Sequence, residues 1–292
     1  MKKIFLFSIL LNPSFGAYAD PVWIPPKDTF HTAFSFTEAQ WDQYLQIGTS
    51  SVNLPGEVTQ YEFTTLVEYV PLNNLSFDLT FPIVISQKKF VFVTTDLSGQ
   101  IIDVNLGPGG EVRDVNTNTG VGDVTFGAKY VFWDKVISLG LRPHLKLPGS
   151  YDVGEVPNAP GDGQTDLGMS LLVGGYFLPI QSYLRGSLSL HYRTGEPQNQ
   201  LELMIEPGVN LLKNLTVRFI YHFIDQFGGD DFTFYNIANF FPANEEDTHR
   251  IGVGLSFRAN DMVGIFGLFQ QTLSGRNTAN TRAFTFGVDL NF

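Results

Sequence analysis

The 292-residue sequence contains no cysteine, and only 16% of its residues are charged. The absence of cysteine excludes disulfides, thiolate metal sites and a lipid-anchored N-terminal cysteine. No apolar run reaches the roughly 18 residues of a membrane-spanning helix, which excludes a helical membrane protein. Acidic residues outnumber basic ones by 29 to 18, and this negative balance argues against a nucleic-acid partner.

The N-terminus has the pattern of a secretory signal peptide. Two lysines precede an apolar run too short to cross a bilayer, and "AYA" at 17–19 forms an A-x-A cleavage site. We therefore expect residues 1–19 to be a signal peptide, residues 20–28 a periplasmic N-terminal arm, and residues 29–292 an outer-membrane barrel. The exported chain would keep 16 basic and 29 acidic residues, a net charge of −13.

The rest of the chain repeats segments in which apolar and polar side chains alternate. In "ISLGLRPHLKLPG", residues 137–149, isoleucine and leucines occupy one set of alternate positions, and Arg142, His144 and Lys146 lie in the other. Only an extended strand, whose side chains alternate between two faces, separates these sets. Long strands with one apolar face throughout are typical of membrane barrels rather than of soluble sandwiches.

Twelve such segments predict an all-β fold, a transmembrane antiparallel β-barrel with short periplasmic turns and longer external loops. The predicted strands cover residues 29–36, 57–70, 75–84, 121–133, 136–147, 164–177, 182–193, 201–212, 215–226, 248–258, 262–273 and 282–292. The predicted external loops cover residues 37–58, 86–120, 149–163, 228–247 and 274–280.

Two of these loops contain further pattern. The loop 86–120 holds two short apolar stretches, which we interpret as an external hairpin around Ser98 and Gly99. Counted as membrane strands, they would raise the strand number to fourteen.

The segment "TEAQWDQYL" at 37–45 begins with a capping-box pattern and predicts a short helix near the mouth of the barrel.

Short turns set a register in which the charged residues face the lumen. Two lumenal ion pairs follow from this register, Asp123 with Lys146 and Asp166 with Arg193. The other predicted facing pairs are Gly127 with Arg142, Gly168 with His191, Gly174 with Arg185, Glu206 with His222, Asn210 with Arg218, Gly254 with Phe266, and Arg250 with Gln270. Opposite charges across strands, and small residues facing large ones, suit a narrow interior.

The lumenal charges allow two interpretations. They pair into networks that fill the barrel, or they form an arginine ladder that attracts an anionic or aromatic solute. The predicted solute-contacting residues of the lumen are Lys129, Arg142, His144, Arg185, His191, Glu206, Arg218, His222, Arg250 and Arg258.

Catalysis and metal binding find little support in the sequence. A membrane-embedded lipid hydrolase needs a serine–histidine pair on the lipid face, and His249, the outward histidine, has no visible partner. The segment "GDGQTD" contains Asp162 and Asp166 but lacks the spacing of a calcium loop. We therefore expect no enzyme, no metal site and no cofactor.

Several segments resemble a known family of outer-membrane transporters. "GVGDVTFGAKYVFW", "LGLRPHLKLPG" and "GDGQTDLGMSLLVGGYF" are similar to motifs of the MetA-pathway-of-phenol-degradation type, which is distantly FadL-like. The matching positions are Gly120, Gly122, Asp123, Lys129, Tyr130, Trp133, Leu145, Lys146, Leu147, Pro148, Gly161, Gly163 and Asp166. The resemblance implies uptake of small hydrophobic or aromatic compounds. FadL-like proteins carry a long N-terminal plug, whereas only a short arm precedes the first strand here.

These observations together predict a passive channel in the outer membrane of a Gram-negative bacterium. We expect it to admit small hydrophobic, aromatic or anionic solutes through a narrow arginine-lined lumen. The competing interpretation is a closed barrel whose external loops bind partners. Expected partners are outer-membrane lipid, the solute, and the barrel-assembly machinery, which would read the terminal Phe292; no nucleic acid is expected.

Overall fold

The computed structural model describes residues 22–47, 50–90, 92–95, 101–105, 114–150, 164–177, 180–194, 199–227, 247–276 and 278–292. The predicted signal peptide, residues 1–19, lies outside these ranges. Within them, no helix is long and apolar enough to cross a membrane.

The described residues form a closed antiparallel barrel of twelve strands. The first strand, β1, pairs with β2 on one side and with β16 on the other, which closes the wall. The segments β6 and β7 share one position because both pair with β3, and β15 adds a short pairing to β1. The strands are β1 (Thr29–Ile47), β2 (Ser50–Leu72), β3 (Leu75–Phe90), β4 (Phe92–Thr95), β5 (Ile101–Asn105), β6 (Asp114–Val121), β7 (Val124–Asp134), β8 (Ile137–Leu147), β9 (Asp166–Phe177), β10 (Ser182–Arg193), β11 (Asn199–Leu212), β12 (Leu215–Phe227), β13 (Asp247–Arg258), β14 (Val263–Arg276), β15 (Thr278–Ala279) and β16 (Arg282–Asn291).

The two short strands β4 and β5 pair with each other and stand apart from the barrel sheet. They lie in the segment 86–120, where the sequence predicts an external hairpin. That prediction is confirmed, and the barrel has twelve strands rather than fourteen.

Burial along the wall strands alternates as the sequence pattern predicts. In β8, Arg142 and His144 are buried, whereas Ile137 and Leu141 are exposed on the outer face. The large side chains on that outer face are apolar around the barrel, among them Leu167, Leu190 and Phe286. An apolar outer band of this kind faces lipid in membrane barrels, while the alternate residues face the lumen.

The predicted register is found at one turn and is wrong at three. β9 pairs with β10 as predicted, with Asp166 opposite Arg193 and Gly174 opposite Arg185. At the other three turns the pairing is shifted by two residues. There the observed facing pairs are Thr125 with Lys146, Gly127 with His144, Met204 with His222, Gly208 with Arg218, Gly254 with Leu268 and Arg250 with Thr272.

The register shifts have a local cause. The turns after β7 and β13 are wider than predicted, because Trp133 already faces Leu139 and Arg258 already faces Gly264. At the turn between β11 and β12, irregular pairing between Asn210 and Leu212 adds to the shift. A β-bulge adds a residue that sequence alternation does not reveal. Because a shift of two residues keeps each side chain on its face, the lumenal set is unchanged while the facing partners differ.

The short helix predicted at residues 37–45 is wrong, because this segment belongs to β1. The loop predicted at 37–58 is largely the β1–β2 hairpin, and β3 and β14 also continue into the predicted loops 86–120 and 274–280. Beyond the lipid-facing band, no face of a strand has to be apolar. Backbone pairing therefore continues without the alternation on which the sequence prediction depends.

Candidate functional site in the barrel lumen

The two ends of the barrel have different connections. Short turns join β2 to β3, β7 to β8, β11 to β12 and β13 to β14 at the end where β1 begins and β16 ends, which we name the short-turn end. The longer connections leave from the opposite end, which we name the loop end. Bacterial outer-membrane barrels place their short turns in the periplasm.

Residues 22–24, which precede β1, lie inside the lumen at the short-turn end; we name them the arm segment. Val22 is 1% exposed and packs against Val131 and Leu172 on the lumenal wall. Trp23 and Ile24 pack on the same cluster. The arm segment therefore occupies the barrel interior, whereas residues 26–28, which lead into β1, are exposed.

Glycine in the wall makes room for the arm segment. A Cβ atom at Gly174 would lie 2.6 Å from Cγ1 of Val22 and 3.0 Å from Cζ2 of Trp23. The Trp23 ring also meets Tyr183 edge-on, with ring centroids 5.8 Å apart. Edge-to-face aromatic pairs of this separation are attractive. The arm segment thus packs against the wall at the short-turn end with apolar side chains that fit it.

A buried charge network around Glu206 occupies the same part of the lumen. The carboxylate accepts hydrogen bonds from the Tyr183 hydroxyl at 2.6 Å and from Arg185 at 2.8 Å, and Nη1 of Arg218 lies 4.0 Å away. Glu206 and both arginines are 1% exposed. Buried charges are tolerated when they are paired, and here one carboxylate is hydrogen-bonded to Arg185 and ion-paired with Arg218. These residues fill this section instead of lining open space.

A second network, around Glu68, fills the opposite part of the wall. Its carboxylate accepts hydrogen bonds from Ser76 at 2.5 Å and from Lys129 at 2.9 Å. Nδ1 of His31 lies 3.9 Å from the same carboxylate. The sequence analysis missed His31, although its position in β1, two residues before inward-facing Ala33, was a usable signal.

The ion pair between Arg142 and Asp78 crosses an intervening strand. The arginine donates two hydrogen bonds to the carboxylate, at 3.1 and 2.5 Å, although β7 separates their strands. Gly127 of β7 permits this contact, because a Cβ there would lie within 2.5 Å of Asp78 and 2.6 Å of Arg142. The glycine therefore serves the ion pair rather than freeing the arginine for a solute. A glycine also separates an arginine from an aspartate elsewhere in the wall: Gly264 of β14 faces Arg258 of β13 on one side and Asp289 of β16 on the other.

Nearer the loop end, Asp166 joins two predicted ion pairs into one chain. Lys146 lies 2.6 Å from Asp166 and 3.7 Å from Asp123. Nε of Arg193 lies 3.4 Å from Asp166, and the arginine also hydrogen-bonds to Gln200. Both lysine and arginine are therefore engaged by carboxylates.

Three histidines and one glutamate form a connected row beside this chain. Nε2 of His222 lies 2.8 Å from Glu202, and Nε2 of His191 lies 3.2 Å from its other oxygen. Nδ1 of His191 in turn lies 3.3 Å from Nε2 of His144. The two rings meet over Gly168, which faces both His144 and His191 and has no side chain to displace them.

A cavity of about 330 Å³ lies in the lumen between these groups. Most of its lining is polar and consists of hydroxyls, imidazoles and paired charges. Apolar surface comes from Leu66, Met204 and Phe266, which lie on the separate strands β2, β11 and β14. The remaining lining residues are Ala33, Ser35, Thr64, Thr80, Thr125, Arg142, His144, Lys146, Asp166, Ser170, Ser187, Ser189, His191, Arg193, Gln200 and Glu202. The volume lies in the range of small-molecule sites, whereas the lining is more polar than is usual for them.

The other candidate residues divide between lumen and outer face. Arg250 lies on the lumenal face of β13, opposite His222. His249 lies on the outer face, where Nδ1 shares a hydrogen bond of 2.8 Å with the Tyr221 hydroxyl. This hydrogen-bond partner is a phenol rather than a serine. Within the described ranges, no group of three or more His, Asp or Glu side chains is arranged to hold a metal ion.

Comparison with known proteins places the chain in a family. The sequence profile described as putative MetA-pathway of phenol degradation matches residues 42–288. The chain belongs to this family. Among curated proteins, none matches the chain significantly in sequence.

Solved structures share the barrel fold. The COG4313 outer membrane channel from Pseudomonas putida F1 has a TM-score of 0.70 and 11% identity, covering 94% of this chain and 100% of that chain. KdgM porin has a TM-score of 0.45 and 10% identity, covering 89% and 99% of the two chains. A Pseudomonas aeruginosa FadL homologue has a TM-score of 0.42 and 10% identity, covering 94% and 93%. The first of these likenesses shows that the fold is that of an outer-membrane barrel.

Proposed function

We propose that this chain is a passive channel for small solutes in the outer membrane of a Gram-negative bacterium. The observation that carries the proposal is the lumenal cavity of about 330 Å³, whose mainly polar lining includes a few apolar side chains. Family membership and the similar fold of an outer membrane channel support the same class of function. No energy-coupling feature is needed, because diffusion follows the concentration gradient.

The cavity suits a small solute that forms hydrogen bonds with the polar lining and has a small apolar or aromatic body. Its volume lies at the lower end of the roughly 300–1,000 Å³ of ligand pockets, which leaves room for about one ring. The arginines and lysines around it contact carboxylates, so they offer little positive charge to an anion. Anions, which the sequence analysis included among the expected solutes, are therefore not among the solutes proposed for this channel.

Passage through the barrel requires the arm segment to leave its place. Val22 and Trp23 occupy the short-turn end, below the cavity, and the Glu206 and Glu68 networks fill the lumen beside them. The described conformation is thus a closed one. An open conformation is reached when the arm segment detaches from the wall. A ligand favours the open conformation only if it binds that conformation more tightly than the closed one, and a membrane potential favours it only by stabilising it relative to the closed one.

Liposome swelling tests the proposal. Liposomes containing the folded protein are diluted into isotonic solutions of uncharged solutes of increasing size. We expect small polyols to enter faster than into protein-free liposomes, and trisaccharides to be excluded. Equal rates with and without protein, for every solute, would refute a channel.

A closed barrel whose external loops bind partners is the second candidate. The blocked short-turn end and the buried ion pairs favour it. It predicts that loosening the arm segment leaves the membrane impermeable, whereas the channel proposal predicts a larger permeability. The same liposome assay on an arm variant therefore separates the two.

A further inference from the structure

The positive charges of the cavity lining are already balanced by carboxylates. Three cations line the cavity, and each contacts an acidic side chain: Arg142 contacts Asp78, Lys146 contacts Asp123 and Asp166, and Arg193 contacts Asp166. Three cations therefore meet three carboxylates. Any further carboxylate in the lining adds net negative charge.

Glu202 is that further carboxylate. The groups bound to it are the imidazoles of His191 and His222, and no lysine or arginine nitrogen of the described residues lies within 4.0 Å. With neutral imidazoles, Glu202 leaves one negative charge on the cavity. The Glu202 side chain is 22% exposed, so a ligand in the cavity can reach it.

Apolar surface lies next to Glu202. Met204 follows Glu202 by two residues on the lumenal face of β11 and also lines the cavity. Each carboxylate oxygen accepts one histidine hydrogen bond and keeps further lone-pair capacity. A ligand with one strong hydrogen-bond donor and a small apolar body can contact both residues.

We propose that Glu202 recognises the cationic head group of a small organic ammonium ion whose apolar body contacts the neighbouring Met204. Charge-assisted hydrogen bonds between ammonium and carboxylate are stronger than neutral ones. The low dielectric of a narrow lumen strengthens the attraction further and repels an organic anion. The inference rests on the proposed function, since this site lies on the path of the solute, and it narrows the solute class.

Calorimetric titration of the full mature chain, folded in detergent at pH 8, tests this inference. Imidazoles ordinarily carry no charge at that pH. The probes are benzylammonium, benzyl alcohol and benzoate, which share one ring and differ in head-group charge. We expect benzylammonium to bind at least about tenfold more tightly than benzyl alcohol, as a hydrogen bond to a charged group predicts. Benzoate should bind more weakly than both.

Three variants locate the effect. Glu202→Gln should weaken benzylammonium binding about tenfold and leave benzyl alcohol within about twofold. Glu202→Asp keeps the charge and should retain the preference. Glu62→Gln removes a lumenal charge outside the cavity lining and should bind as the unmodified chain does. Heat-modifiable migration in gel electrophoresis confirms folding of each variant.

The outcomes separate this inference from the proposed function. Equal binding of the three probes by the unmodified chain, or unchanged benzylammonium binding by a folded Glu202→Gln variant, would overturn the role of Glu202. If Glu202 governs binding but no solute crosses liposomes, the site stands and the channel fails. If solutes cross while binding ignores Glu202, the channel stands and this inference fails.

Discussion

Removal of the Trp23 ring should loosen the seal at the short-turn end. The ring is half-buried, packs beside Val22 and Leu172, and meets Tyr183 edge-on. Truncation of a fully buried tryptophan costs roughly 3–5 kcal/mol, so about 2 kcal/mol is expected for a half-buried one. Since about 1.4 kcal/mol corresponds to a factor of ten, Trp23→Ala should raise the ratio of open to closed arm about 30-fold.

Single-channel recording in planar bilayers measures this ratio as the fraction of time spent open. Gly174→Ala should act in the same direction from the wall, because its Cβ would lie 2.6 Å from Val22. Gly267→Ala is the matched control, since its Cβ would meet no atom closer than 3.7 Å. If Trp23→Ala and Gly174→Ala open no more often than the unmodified chain, the arm segment is not the barrier.

Two further substitutions test the ion pairs that fill the lumen, by urea titration of the detergent-folded barrel followed through tryptophan fluorescence. Gly127→Ala places a Cβ 2.5 Å from Asp78 and 2.6 Å from Arg142, so it should separate this pair and lower the free energy of unfolding by roughly 3 kcal/mol. An unchanged midpoint would show that the pair does not depend on the glycine. Glu206→Gln leaves two buried arginines without their shared carboxylate and should cost roughly 3–5 kcal/mol. A loss below about 1 kcal/mol would contradict the account of that network.

The sequence reveals which residues face the lumen, because one physical rule governs the membrane section of every strand. Arg142 and His144 alternate with leucines that must meet lipid, so their inward position follows from period two alone. The strand number follows from the same rule. Asp166 opposite Arg193 could also be predicted, since the β9–β10 turn carries no bulge.

Partners across the lumen depend on features that alternation does not report. The turn after β7 is wider than predicted, and together with the irregular pairing near Val131 this moves Gly127 from a position opposite Arg142 to one opposite His144. Nothing in the local sequence marks either feature. The contact of Arg142 with Asp78 spans three strands, so it depends on barrel closure as well as on pairing. The arm segment is likewise decided by tertiary packing, since its few apolar residues carry no periodic pattern.

A disulfide that fixes the arm segment to the wall tests the central claim most directly. The chain has no cysteine, so Val22→Cys combined with Gly174→Cys provides a single pair. A Cβ at Gly174 would lie 2.6 Å from Cγ1 of Val22, which brings two sulfurs within bonding reach. In planar bilayers we expect no current from the oxidised protein and channel openings after reduction with dithiothreitol. Openings of equal frequency in both states would contradict a channel that the arm segment closes.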